Sequence, residues 1–231
     1  MSAKIALSRR HALLLGGVGI LASSSGCVNL GGKAPAHLSY ELRDLGESKP
    51  ASRPKLDRVV LVTWSASSAF YDTTSIAYSR SSGALAYYQL ASWTERPAEQ
   101  LGRLFARRLA GTGAFRDVAT VAAPVQGDWL VDVQLEEMLH DDGNPPGVAR
   151  ISVFVRIVDR AARRTIDTRR FLAQEPLKTE SADGAVDAFE VALARLLDES
   201  VRWVLAEALG DRAADGPPPG KTSPGFPAAA R

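Results

Sequence analysis

Few residues in this chain of 231 have the types and spacing that chemistry needs. His140-Asp141-Asp142 sets an imidazole beside two carboxylates, the donor types of a metal site, but one His and two adjacent Asp at a strand end more readily form a solvated turn. Glu136-Glu137 offers carboxylates for acid–base work with no evident partner in the sequence. Ser52-Arg53-Pro54-Lys55 matches a Ser-x-x-Lys pattern, yet it sits in a polar loop between Pro50 and Pro54 rather than at a helix start. Gly220-Lys221-Thr222 has the end of a phosphate loop, but the glycine required five places earlier is Asp215, and no strand precedes it. With no nucleophile–base pair and no glycine cradle, the expectation is a protein that is not an enzyme and holds no cofactor or metal. That leaves Cys27, the one cysteine of the chain.

The residues before Cys27 explain it. Lys4, Arg9 and Arg10 form a cationic start, with no acid before residue 41. Ala12 to Ala22 then run uncharged for eleven residues, enough for the apolar region of a signal peptide and too few for a spanning helix. Leu21-Ala22-Ser23-Ser24-Ser25-Gly26-Cys27 resembles a lipobox, with Ser24 where Leu is frequent. Such a motif implies a diacylglycerol on the cysteine sulfur and cleavage just before it, making residues 1–26 a signal peptide and Cys27 the lipid attachment site. A lone cysteine in an exported protein has no partner for an internal disulfide, so lipidation accounts for it. One acyl chain binds a membrane only marginally, at about 0.8 kcal/mol per buried methylene; the two or three chains of a lipoprotein anchor it firmly. Val28, where Asp would signal inner-membrane retention in enterobacteria, resembles the outer-membrane class. Ser8-Arg9-Arg10-His11-Ala12-Leu13 also resembles a twin-arginine signal; that route and an ordinary cationic start both stay open.

Cleavage changes the charge balance. The full chain has 28 Lys and Arg against 26 Asp and Glu; without Lys4, Arg9 and Arg10 it has 25 against 26, a net charge of −1. That excludes the whole-chain cationic field behind nucleic-acid binding. Residues 27–37 read as the lipidated cysteine and a flexible tether, and residues 211–231 as a disordered tail whose stretch from Gly216 to Pro227 holds five prolines and three glycines. Residues 38–210 remain as one domain.

Within that domain Val59 to Trp64 is a β-rich apolar run, and Ser75–Tyr78 and Ala84–Leu90 read as strands joined by Ser81-Ser82-Gly83. Thr94–Ala110 reads as a helix, capped by Thr94 with Pro97 in its first turn and stopped by Gly111 and Gly113. Leu101, Leu104, Phe105 and Leu109 form its apolar stripe; Arg103, Arg107 and Arg108 lie off it as a solvated basic face. Trp129–Leu139 alternates with Val131, Val133, Leu135 and Leu139 on one face, and Ile151–Asp159 with Ile151, Val153, Val155 and Ile157 inward. With Arg163–Leu172 these form an antiparallel meander. Asp183 caps a last helix running to Leu209, roughly 37 Å long, with Gly210 after it. The expected fold is α+β: a mainly antiparallel β-sheet packed by two α-helices.

Leu85 to Pro97 (Leu-Ala-Tyr-Tyr-Gln-Leu-Ala-Ser-Trp-Thr-Glu-Arg-Pro) and Gly113-Ala114-Phe115-Arg116-Asp117-Val118 resemble the ABC-type transport auxiliary lipoproteins, the PqiC-like family: a tyrosine-bearing strand, a Trp-x-x-x-Pro turn, an amphipathic helix and a small-Gly-Phe strand start. The likeness spans roughly residues 38–209, with specific matches in 85–118. It implies a periplasm-facing envelope lipoprotein assisting an MCE-type lipid transport system, with the MCE-domain protein and its ABC transporter complex as partners. Together with the lipobox and the charge balance, the expected partners are these proteins and the membrane through the lipid anchor, with no nucleic acid; a homo-oligomer stays open. Tyr87, Tyr88, Trp93 and Pro97 are the candidate partner-docking residues, because aromatics favour interfaces; the bland reading is that Trp93 staples strand to helix. A structural or regulatory lipoprotein, such as a cell-wall synthase activator, is the competing function.

Overall fold

A computed structural model describes residues 36–51 and 55–214, so the signal peptide, Cys27, the tether up to Pro35, residues 52–54 of the Ser-x-x-Lys pattern and the tail from Asp215 lie outside the described residues. Among the described residues eight strands and two helices follow in order: β1 (Leu38–Tyr40), β2 (Leu56–Ala66), β3 (Ser75–Ser81), β4 (Ala84–Trp93), α1 (Pro97–Gly111), β5 (Phe115–Thr120), β6 (Trp129–Asp141), β7 (Val148–Asp159), β8 (Arg164–Pro176) and α2 (Ala182–Ala214). The fold is α+β, with two helices on one sheet. The β6–β7–β8 meander is antiparallel, as is the β3–β4 hairpin.

The sheet is nonetheless mixed. β2 pairs in parallel with both β5 and β6, β1 in parallel with β4, and β3 in parallel with the end of β6. β7 occupies one edge of β6 along its length; β2 takes the other edge over Trp129–Leu135, and β3 takes it over His140–Asp141. The β3–β4 hairpin therefore continues the sheet beyond the end of β2. Parallel neighbours join segments far apart in the chain, and their apolar runs look the same as antiparallel ones.

Between those two stretches of β6 lies a bulge. Leu135 pairs with Val153 and Met138 with Ile151, so β6 spends one more residue than β7 across the interval. The bulge sits at Glu136-Glu137 and inverts the alternation that follows it. Met138 and His140, rather than Leu139, join Val131, Val133 and Leu135 on the face that carries Ile151 and Ala149.

That face is the core. Ala149, Ile151, Val153, Val155 and Ile157 of β7 are fully buried, under α2 residues Phe189, Leu193, Leu196 and Leu197. α1 covers β2 and β5, and α2 covers β7 and β8. At 33 residues α2 is about 50 Å long, running through Gly210 instead of stopping there. Its cap is Ser181, whose hydroxyl accepts from the Gly184 amide at 3.1 Å; Asp183 lies in the first turn and accepts from the Tyr40 hydroxyl at 2.6 Å. α1 begins at Pro97, with Arg96 at the cap position and no side-chain cap; the Thr94 amide instead donates to the Tyr40 carbonyl. Gly113 sits just past its end at φ +64°, a conformation costly for any other residue.

The basic face of α1 also divides. Arg107 is exposed and Arg103 pairs with Glu95 and Glu99, but Arg108 is 3 % exposed and holds Asp44 and Asp198. Helical phase explains this: Arg108 is beside Leu104, Phe105 and Leu109, on the flank that meets α2 and the Leu42–Ser48 segment. Gly46 lets the guanidinium in, since a Cβ there would fall 2.1 Å from an Arg108 nitrogen.

Candidate functional site

The tyrosines of β4 gather around the junction where β3, β4 and the bulged end of β6 meet. Tyr88 packs its ring 5.1 Å from that of Tyr78 on β3 and lies 6.1 Å from the His140 ring, nearly parallel to it. Its hydroxyl is 2.7 Å from His140 Nδ1, while His140 Nε2 is 3.0 Å from the Pro146 carbonyl. A carbonyl only accepts, so Nε2 carries the proton, Nδ1 accepts, and Tyr88 donates. Burial, then the Asp142 charge, pushes the Tyr88 hydroxyl up to about 12. Tyr87 points elsewhere: its ring stacks on Phe70 at 4.5 Å and its hydroxyl donates to the Phe70 carbonyl at 2.8 Å.

Asp142 closes the cluster. Its carboxylate is 6 % exposed; Oδ2 is 3.4 Å from Arg80 Nε, and Oδ1 is buried without a hydrogen-bond partner, 4.0 Å from His140 Nε2. The Arg80 guanidinium also lies over the Tyr78 ring, 5.2 Å from its centre. Together with Glu180 and the tyrosines these groups line an open cleft of about 310 Å³. Leu85 and Leu90 of β4 are about half exposed.

His140-Asp141-Asp142 is thus no solvated turn. His140 is 1 % exposed and both its ring nitrogens are engaged by protein, which leaves neither free to ligate a metal. Among the described residues no group of three or more His, Cys, Asp or Glu is placed to hold an ion. Glu136 and Glu137 have partners after all: Glu136 takes two bonds from Arg170 and one from Ser152, and Glu137 pairs with Arg150. The Arg170 guanidinium holds the Glu136 carboxyl below the usual range.

Trp93 and Pro97 fall outside the cleft. Trp93 is 4 % exposed, its ring 5.9 Å from that of Phe189 on α2, and Pro97 is buried at the first position of α1. Of the four candidates, Tyr87 and Tyr88 are half-buried and line the cleft, whereas Trp93 and Pro97 are buried at the strand–helix joint. Tyr78, Arg80 and Glu180 carry no sequence signal that marks them for this site, and Asp142, a possible metal donor by its sequence, serves instead as the buried carboxylate of the cleft. The bulge and the pairing of β3 with the end of β6 together bring the His140–Asp142 segment to Tyr88.

A family model for the ABC-type transport auxiliary lipoprotein component matches residues 40–201, well over half of the chain. The chain belongs to that family. The family is one of lipoproteins serving ABC-type transport, so this member is an auxiliary transport lipoprotein of the cell envelope. No curated protein is matched by the sequence. Among solved structures, protein XCC0632 from Xanthomonas campestris is similar at a TM-score of 0.68 and 20 % identity, covering 76 % of this chain and 99 % of that one. A second, an uncharacterised protein, is similar at a TM-score of 0.55 and 15 % identity over 72 % and 99 %. A third, the hypothetical protein CT253 from Chlamydia trachomatis, has a TM-score of 0.46 and 14 % identity over 67 % and 99 %. The first two share the auxiliary lipoprotein's fold. Among the described residues no helix is long and apolar enough to cross a membrane.

Proposed function

We propose that this auxiliary lipoprotein is anchored through lipid on Cys27, faces the periplasm from the outer membrane, and serves an MCE-type intermembrane lipid transport system. Its task is to dock to the MCE-domain protein or the transporter complex that contains it, without catalysis. The observation that carries this reading is the family match over residues 40–201. The docking face proposed is the part of β4 around the cleft that Tyr87 and Tyr88 line, with Trp93 and Pro97 holding the strand–helix joint rigid. Partly exposed tyrosines beside the exposed Leu85 and Leu90 give the apolar-and-polar mix that interface centres favour.

Affinity purification of the lipidated protein from gently solubilised envelopes tests this. Recovery of an MCE-domain protein with an ATPase and a permease is expected. Recovery of cell-wall synthases in their place would overturn the assignment and favour a regulatory lipoprotein.

A further inference from the structure

We infer that the cleft between the β3–β4 hairpin and the end of β6 receives a Lys or Arg side chain from an exposed segment of the partner protein. The inference rests on the docking reading above and specifies the chemistry of the contact.

Three observations converge on a cation. First, the cleft has an acidic excess: Asp142 and Glu180 face a single cation, Arg80. Second, the Asp142 carboxylate is more than nine-tenths buried, and its Oδ1 has no hydrogen-bond partner among the described residues. Among them the one donor this carboxylate has is Arg80, at a long 3.4 Å to Oδ2; an under-satisfied buried carboxylate is costly, and a closer charged donor brought to Oδ2 from outside relieves that cost. Third, the cleft already shows how it binds a cation. The Arg80 guanidinium is held between the Tyr78 ring, at 5.2 Å, and Asp142 Oδ2, at 3.4 Å. Its side chain is 71 % exposed, so the pairing is loose and open to displacement. Arg80 acts as a placeholder on a site built from an aromatic wall and a carboxylate floor, the combination that recognises ammonium and guanidinium groups.

The occupant is a side chain rather than a whole helix or strand, because the space of about 310 Å³ suits one long residue. Exposed Leu90, which lines the cleft, gives its flanking residues an apolar rim. The positive end swings Arg80 aside, donates to Asp142 and packs on Tyr78 and Tyr88.

The test uses the full lipidated chain in detergent and a capped Gly/Ser peptide with one central lysine, its arginine counterpart and its norleucine counterpart. Ring signals of Tyr78, Tyr88 and His140 are followed by NMR. Saturable shifts with lysine and arginine, and none with norleucine, are expected. Asp142→Asn should weaken binding about tenfold, and Glu180→Gln, an exposed change that spares the fold, should weaken it less. Arg80→Ala should tighten binding several-fold, the opposite sign from any variant that merely disorders the cleft. Equal behaviour of lysine and norleucine peptides, or unchanged or weaker binding by Arg80→Ala, would overturn the inference. So would shifts produced by phosphatidylethanolamine vesicles and not by peptide. An MCE-domain protein that co-purifies with a chain binding no lysine peptide would sink this inference and leave the docking reading standing; peptide binding without co-purification would sink the docking reading, and with it the partner as the source of the side chain, while the cation site itself stood.

Discussion

Arg108→Met is the sharpest test of how the segment after the tether is held. Arg108 lies on α1 with its side chain 3 % exposed, donating to both oxygens of Asp44, to Asp198 and to the Glu47 carbonyl at 3.2 Å. Asp44 is 12 % exposed on its side chain and Asp198 35 %. Removing the guanidinium strands Asp44 in a site it cannot readily rehydrate, whereas Asp198 turns to water. Breaking a buried pair from one side costs about 3–5 kcal/mol, and the exposure of Asp198 puts this case near the lower figure. For a domain of this size that is a Tm decrease of roughly 6–12 °C. Arg107→Ala, on the same helix but exposed, should change stability by less than about 0.5 kcal/mol. The double variant Asp44→Asn with Arg108→Met should recover part of the loss, because the stranded charge is gone. Urea and thermal melts followed by circular dichroism give the numbers. A loss below about 1 kcal/mol for Arg108→Met, or an equal loss for Arg107→Ala, would refute the buried clamp.

Trp93→Ala empties the joint between β4 and α2 and should cost about 3–5 kcal/mol in a urea melt, far more than Tyr87→Phe, which loses one hydrogen bond of about 1 kcal/mol. Gly147→Ala is expected to destabilise and to shift the His140 ring signals, since Gly147 has φ +86° and a Cβ there would come within 2.4 Å of His140 Nε2. The Glu136 carboxyl is held low by Arg170, so its contribution is fully present above the ordinary Glu range and is lost as pH falls through the lowered folded value; Glu136→Gln should flatten that acid-side loss without altering the slope near pH 7, as acid titration of stability would show. Cys27→Ser should release the protein from membranes and abolish complementation together; full function from the unlipidated chain would refute the anchor.

Much of the fold was legible in local pattern. Alternation in 129–135 and 151–157 marks two meander strands and their inward residues, and the 3.6-residue spacing of Leu101, Leu104, Phe105 and Leu109 marks α1. What escaped was long-range or depended on a single added residue. Nothing local distinguishes β2 as a parallel neighbour of β5 and β6 from an antiparallel one, because a strand buried on both faces shows no alternation to register. The bulge at Glu136-Glu137 shifts the phase by one and sends His140, not Leu139, to the core side. Two acidic residues in succession within an alternating strand are the one sequence sign that the period breaks there. Caps shifted for a related reason: α1 begins at Pro97 with Arg96 at the cap position, two residues beyond Thr94, whose amide bonds the Tyr40 carbonyl, and the Asp183 carboxylate accepts from the Tyr40 hydroxyl while Ser181 caps α2. The candidate site was half visible. Tyr87 and Tyr88 were found from their own strand, while Tyr78, Arg80 and Asp142 meet them only through the topology that sets β3 beside the end of β6.

The docking face is tested most directly by photocrosslinking in cells, with a photoreactive residue at Leu90 on the cleft rim or at Arg107 on the exposed side of α1. A crosslink to the MCE-domain protein from position 90, and none from position 107, is the predicted result. A crosslink from 107 alone, or no MCE-domain protein from either position while the chain supports transport, would contradict the account.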